Sequence, residues 1–140
     1  MKSNCSGICA VVCASVDVDV TRTNDATVTA DVNPFNTWTY DGTTWTLQSP
    51  LTQPTLVYGG SAAFDPHLNA VVLFGGGSGG VDQNTTWGWR RSNWKQLLAT
   101  QSPQAREGAG IAYDPASGHV IIFGGENSNV TINDTWELIP

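Results

Sequence analysis

A chain that repeats itself at a fixed interval folds as a stack of copies, because each copy must bury its apolar face against a neighbour. This chain repeats at an interval of 49 residues, which separates Trp38, Trp87 and Trp136 in turn. Trp45 and Trp94, Phe64 and Tyr113, Asp65 and Asp114, Pro66 and Pro115, and Phe74 and Phe123 share the same offset. The stretch VVLFGGGSGGVDQNTTW at 71–87 aligns without a gap on VIIFGGENSNVTINDTW at 120–136, with eight identities in seventeen positions. Ordinary residue frequencies would give about one.

The repeat decides between two readings of the glycines. Gly75, Gly77 and Gly80 match the G-x-G-x-x-G outline of a dinucleotide-binding loop. Gly75 and Gly76 recur as Gly124 and Gly125, whereas Gly77, Gly79 and Gly80 align with Glu126, Ser128 and Asn129. A dinucleotide loop must also open a helix whose N-terminus faces the pyrophosphate, and the VDQNTTWGW that follows reads as turn and strand. The double glycine belongs to the repeat; the fingerprint belongs to one copy of it.

Each copy reads as four short strands. GAGIAYD at 108–114 is the first. The turn Asp114-Pro115-Ala116-Ser117-Gly118 leads to the second, HVIIFGG at 119–125. That run is almost continuously apolar, which predicts cover on both faces. The Gly pair ends it where bulky side chains would not fit. A loop of about eight residues follows. NDTWELI at 133–139 is the third strand, with Trp136 and Leu138 on one face. The fourth strand is seen in the earlier copies. NTWTYDGTTWTLQ at 36–48 is a hairpin about Asp41-Gly42. TTWGWRRSNWKQL at 85–97 keeps the Trp pair and places Arg90-Arg91 at the tip. Composition agrees: 15 Gly, six Trp, one Met and only 13% charged residues suit strands and turns rather than helices.

The double glycine after an apolar strand, the Asn133-Asp134-Thr135-Trp136 downstream, and a second Trp seven residues on, as Trp94 is from Trp87, resemble the kelch repeat. Pro103, Arg106, Gly108, Tyr113-Asp114, Phe123-Gly124-Gly125 and Asp134-Thr135-Trp136 fall in the order of its bacterial branch. The resemblance covers residues 34–140 and implies an all-β fold, a partial kelch-type β-propeller built of four-stranded antiparallel blades. It makes Gly75, Gly76, Trp87, Trp94, Gly124, Gly125 and Trp136 the structural motif. The copies depart from it where Arg106 aligns with Val57 and Asp134 with Thr85.

The strands count as a partial blade at 36–48, a full blade at 57–98 and a partial blade at 106–139. That is about two and a quarter blades, against the typical four to eight of a closed ring. The expectation is a fragment of a larger propeller, or short chains that assemble into one. Neighbouring blades would then be missing from this chain or supplied by another. The isolated chain is expected to be oligomeric, poorly soluble or marginally stable, since a repeat array draws its stability from neighbour interfaces and its open strand edges invite pairing.

Residues 1–33 stand outside the repeat and are unassigned. Cys5, Cys9 and Cys13, the chain's three Cys, all lie there, without the distant Cys or His that would complete a zinc site. The first 16 residues have the region order of a weak export signal, which favours an extracellular or cell-envelope location. No run approaches the ~20 apolar residues of a membrane span. The net charge is −6 and the one basic cluster is Arg90, Arg91 and Lys95, so the chain lacks the basic face of a nucleic-acid binder.

Recurring Trp positions read as packing. Trp89 is the exception, because Tyr40 and Leu138 take its place in the other copies; it is a candidate for stacking on a sugar. Arg106 is the second ligand-binding candidate. By the resemblance it begins the innermost strand near the mouth of the central channel, where Arg can hold a carboxylate bidentately; locally it could instead pair with Glu107 or a backbone carbonyl. Asp65 and Asp114, each before Pro, suit capping of turn N–H groups. His67 and His119 do not align and read as loop residues. No cofactor, metal or catalytic residue is assigned. The repeat reads as a binding module that recognises a protein or carbohydrate through loops 77–83 and 126–132, which differ almost throughout while their flanks repeat. The alternative is part of a propeller enzyme resembling galactose oxidase, a copper oxidase with Tyr and His ligands and a Tyr–Cys cross-link. Tyr40, Tyr58, Tyr113, His67 and His119 are present, but no Cys lies within the repeats.

Overall fold

The computed structural model describes residues 36–40, 43–55 and 58–139. Every regular element among them is a strand, and all pairing is antiparallel. The N-terminal Cys, the export-like segment and the Asp41-Gly42 tip lie outside the described residues.

The chain begins with a hairpin of β1 (Trp38–Tyr40) and β2 (Trp45–Leu47). A four-stranded sheet follows, made of β3 (Ser61–Asp65), β4 (Ala70–Phe74), β7 (Thr86–Arg90) and β8 (Asn93–Leu97), in the order β3-β4-β7-β8. Between β4 and β7 lies a small hairpin, β5 (Gly77–Ser78) with β6 (Val81–Asp82). The next copy repeats the plan with β9 (Gly110–Asp114), β10 (His119–Phe123), the hairpin β11 (Glu126–Asn127) and β12 (Val130–Thr131), and β13 (Thr135–Leu138). Its sheet has three strands, β9-β10-β13.

The register keeps the repeat in three dimensions. Leu73 faces Trp87 across β4–β7, and Ile122 faces Trp136 across β10–β13. The turn tip differs slightly from the reading of the sequence. Arg90 still pairs with Asn93, and the two turn residues are Arg91 and Ser92, both with positive φ (52° and 63°). That backbone is the type I′ turn favoured in two-residue hairpins because its twist matches the strands.

The two sheets stack face to face. One face of β4 presents Val72 and Phe74 to the next sheet, where they meet Val120, Ile122, Ala109 and Leu138. The opposite face presents Val71 and Leu73 to Trp89 and Trp94. Beyond them, Trp94 donates its indole N–H to the hydroxyl of buried Thr37, just before β1, at 2.8 Å. Both faces of β4 are therefore covered, as its unbroken apolar run requires. β10 carries the same kind of run but buries only Val120 and Ile122; Ile121 is half-buried and Phe123 exposed. Phe74 is 1% exposed and Phe123, its repeat equivalent, 56%, because a second sheet lies over one and not over the other.

The turns follow the sequence closely. Asp65 accepts the N–H groups of His67 and Leu68 at 2.8 and 3.0 Å. Asp114 accepts those of Ala116 and Ser117 at 3.0 and 3.1 Å, bonds that hold its pKa below the usual carboxylate value. At the edges of β3 and β9 the sheets are tied together: Gly108 N–H donates to the Gly59 carbonyl at 2.9 Å, and the Ser61 hydroxyl to that of Ala109.

Candidate functional site

The double glycine shapes one rim of the stack. Gly75 and Gly76 have φ of 67° and 94°, and Gly124 and Gly125 have 64° and 95°. Both pairs thus adopt the left-handed region where a side chain is strained. They also pass close under the neighbouring inner segment: a Cβ on Gly75 would collide with the Arg106 carbonyl, and one on Gly125 would come 2.7 Å from that of Glu107. The Gly76 N–H uses that proximity, donating to the Arg106 carbonyl at 2.8 Å.

From this bend each loop turns outward as a hairpin, not as the open loop of the sequence reading. At the β5–β6 tip Gly79 and Gly80 have φ of 60° and 82°. At the β11–β12 tip Ser128 and Asn129 have 49° and 65°. The same type I′ backbone is therefore built once from glycine and once from residues that tolerate it less well. Each hairpin is anchored by a backbone bridge, Tyr58 to Gly77 in one and Glu107 to Glu126 in the other. A Cβ on Gly77 would meet the far end of the exposed Tyr58 ring, which would have to swing aside. The second copy has Glu107 opposite, not a ring, and accommodates Glu126. The hairpins touch: Ser128 N–H donates to the Asp82 carboxylate at 2.8 Å. Asn127 ties the second to the scaffold through the Ala105 carbonyl at 2.6 Å. The two hairpins form a rim that exposes Val81 (63%) and Val130 (66%) and carries the acidic side chains of Asp82 on β6 and Glu126 on β11.

Arg106 stands beneath this rim with its side chain fully buried. Its guanidinium grips both oxygens of Asp134, with the second bond at 3.0 Å. It also donates to the carbonyls of Gly124 at 2.9 Å and Gln104 at 3.0 Å. Each nitrogen has an acceptor within the chain, so the group is an internal tie between the inner segment, the Gly pair and the entry to β13. Its acid partner is Asp134, not Glu107. Trp136 completes the cluster by donating its indole N–H to Asp134 at 2.8 Å. In the preceding copy Val57 and Thr85 stand at the Arg106 and Asp134 positions, and the indole of Trp87 bonds the Thr85 hydroxyl at 3.3 Å. Reading the two departures from the repeat as one linked exchange would have found the pair.

The Arg106 guanidinium and, after it, the Trp136 indole lower the pKa of Asp134 from 3.8 to about 2. A carboxyl whose folded pKa lies below its unfolded value stabilises the fold above that unfolded value, and the contribution is lost as pH falls through the folded one. Stability measured by urea unfolding is therefore expected to decline between pH 4 and pH 2 in part through Asp134. The Asp134→Asn variant is expected to show a shallower decline over that window. An unchanged acid limb would refute the assignment.

Trp89 packs against Trp94 with ring centroids 5.4 Å apart and is 6% exposed. Trp87 and Trp136 are half-buried and Trp94 is buried. His67 lies edge-on to Tyr113 at 5.9 Å and bonds the Gly118 carbonyl, bridging the two sheets at the far turn. His119 bonds Glu137 on the surface. Among the described residues no three His, Cys, Asp or Glu come together as metal ligands, and no helix is long and apolar enough to cross a membrane.

No family model matches the chain, and no curated protein matches it. Among solved structures it is similar to that of YjhT, at 16% identity with a TM-score of 0.56, over 71% of this chain. The match spans 34% of that protein, so this chain corresponds to about a third of its length. At that identity the likeness concerns the fold alone.

Proposed function

We propose that this chain is a recognition module of kelch-type blades, part of a larger propeller, that binds a protein or carbohydrate through the rim made by β5–β6 and β11–β12. One observation carries the reading. The two hairpins have the same backbone and anchorage but different side chains, and they meet through Asp82 and Ser128. A fixed scaffold that presents variable tips is where recognition usually resides. The acidic border and the two exposed valines suit a ligand with a cationic or hydroxylated edge and an apolar patch.

The test is a loop exchange in a protein screened on glycan and protein arrays. Residues 78–82 and 127–131 are interchanged, leaving Gly77 against Tyr58 and Glu126 in place. The fold should survive, since both tips already adopt one backbone. Affinity for any ligand found is expected to fall at least tenfold, about 1.4 kcal/mol. Ligand binding indifferent to the exchange would refute the rim as the site.

A further inference from the structure

Tyr58, Gly77 and Asp82 stand in one row across three chain segments. Tyr58 bridges Gly77, and Gly77 pairs with Asp82 on β6. Residues directly opposite one another in antiparallel pairing project to the same face. The phenol and the carboxyl therefore share a face, with only hydrogen between them at Gly77. The ring uses that gap. A Cβ built on Gly77 would stand almost equally close to Cζ, Cε2 and the phenol oxygen of Tyr58. Three adjacent atoms of a planar group are met so evenly only from above the plane. One face of the ring thus lies on the Gly77 backbone at its hydroxyl end, and Tyr58 still stands 36% exposed. Asp82 accepts the Ser128 N–H with Oδ2 at 2.8 Å, and among the described residues no donor meets its other oxygen. The next copy replaces the row by Glu107, Glu126 and Thr131. The carboxylate of Glu107 reaches back to the segment of Tyr58, where a Cβ on Gly59 would come 3.2 Å from its Oε2.

We propose that Tyr58 and Asp82 form a subsite for an arginine side chain presented by a protein partner. The subsite belongs to the rim and rests on its reading as a recognition surface. A guanidinium is planar: its face stacks on the open face of an aromatic ring while its edge forks onto a carboxylate. Tyr58 supplies the platform and Asp82 the carboxylate. A sugar ring would also stack on Tyr58, and charge decides between the two. Glu107 adds a second carboxylate beside Tyr58. No Lys or Arg among the described residues offsets either acid, since Arg90, Arg91 and Lys95 belong to the β7–β8 hairpin and Arg106 is bound to Asp134. A cation gains from each carboxylate within the roughly 8 Å screening length of physiological salt, whereas a neutral ring gains hydrogen bonds alone.

The probe is a fluorescein-labelled peptide of three Arg-Gly-Gly units, titrated into the full chain at low salt and read by anisotropy. Saturable binding is expected. It should be at least tenfold tighter than that of the same peptide with citrulline, which keeps the planar group and lacks the charge. It should be at least threefold tighter than that of the Lys peptide, which has the charge without the planar fork. Tyr58→Phe should bind within twofold of the native chain. Tyr58→Leu, which still covers Gly77, and Asp82→Asn, which still accepts the Ser128 N–H, should each weaken binding at least fivefold with circular dichroism unchanged. Absence of saturable binding, Arg and Lys peptides that bind alike, or Tyr58→Leu binding like the native chain would overturn the subsite. If binding then still falls on exchanging residues 78–82 with 127–131, the rim stands without it; if not, both fall. A neutral oligosaccharide that binds the native chain and not Tyr58→Leu, where the Arg peptide fails, would assign the platform to a sugar and overturn the arginine.

Discussion

Replacing Asp134 by Thr is expected to destabilise the chain by about 3–5 kcal/mol, because it removes the counter-charge of a fully buried guanidinium and leaves it the carbonyls of Gly124 and Gln104 alone. Replacing Arg106 by Val is expected to cost less, about 2–4 kcal/mol. Asp134 is 43% exposed and can turn to water, so the loss there falls chiefly on the carbonyls of Gly124 and Gln104, left without a donor. The double variant, Arg106→Val with Asp134→Thr, reproduces the residues of the preceding copy, where Thr85 serves the Trp87 indole without an acid. It should cost less than the two single changes together by at least about 1.5 kcal/mol, within the range for residues in one bonded network. Urea unfolding of the four proteins gives the cycle. Additivity within about 0.5 kcal/mol would mean that the pair is not a unit.

Phe74→Ala and Phe123→Ala make the same chemical change at the same place in two copies, yet their effects should differ severalfold. Phe74 is buried among Ala109 and Ile122 at the junction of the sheets, and truncation there should cost about 3–5 kcal/mol through lost transfer and a cavity. That loss is a large fraction of the about 5–15 kcal/mol that holds a domain of ordinary stability. Phe123 stands 56% exposed, and its loss should fall within about 0.5 kcal/mol, as for surface substitutions. Equal losses would show that a further layer covers Phe123 in solution.

Much of this was legible in the chain. The 49-residue offset places β3, β4, β7 and β8 and predicts β9, β10 and β13 within about two residues, the usual scatter of strand ends. The Asp-Pro turns were readable because a short carboxylate before Pro bonds the next N–H groups in any context. The double glycine was readable as a bend, although the crossing backbone of Arg106 that demands it lies 31 residues from Gly75. The candidate site was less legible. Loops 77–83 and 126–132 carry no shared turn signal, since Gly79-Gly80 and Ser128-Asn129 have nothing in common but the φ that their hairpins impose.

By itself, then, the sequence determined which segments are strands, how they alternate and where the chain bends, because period, steric limits on φ and local side-chain bonds act over a few residues. Only the tertiary structure decided what each repeated position does. Phe74 and Phe123 are one residue in sequence terms and opposite in burial. Arg106 met Asp134 rather than Glu107, and Asp82 found Ser128 in the next copy. These outcomes depend on which sheet lies beside which, and burial and charge pairing are properties of that adjacency rather than of the repeat.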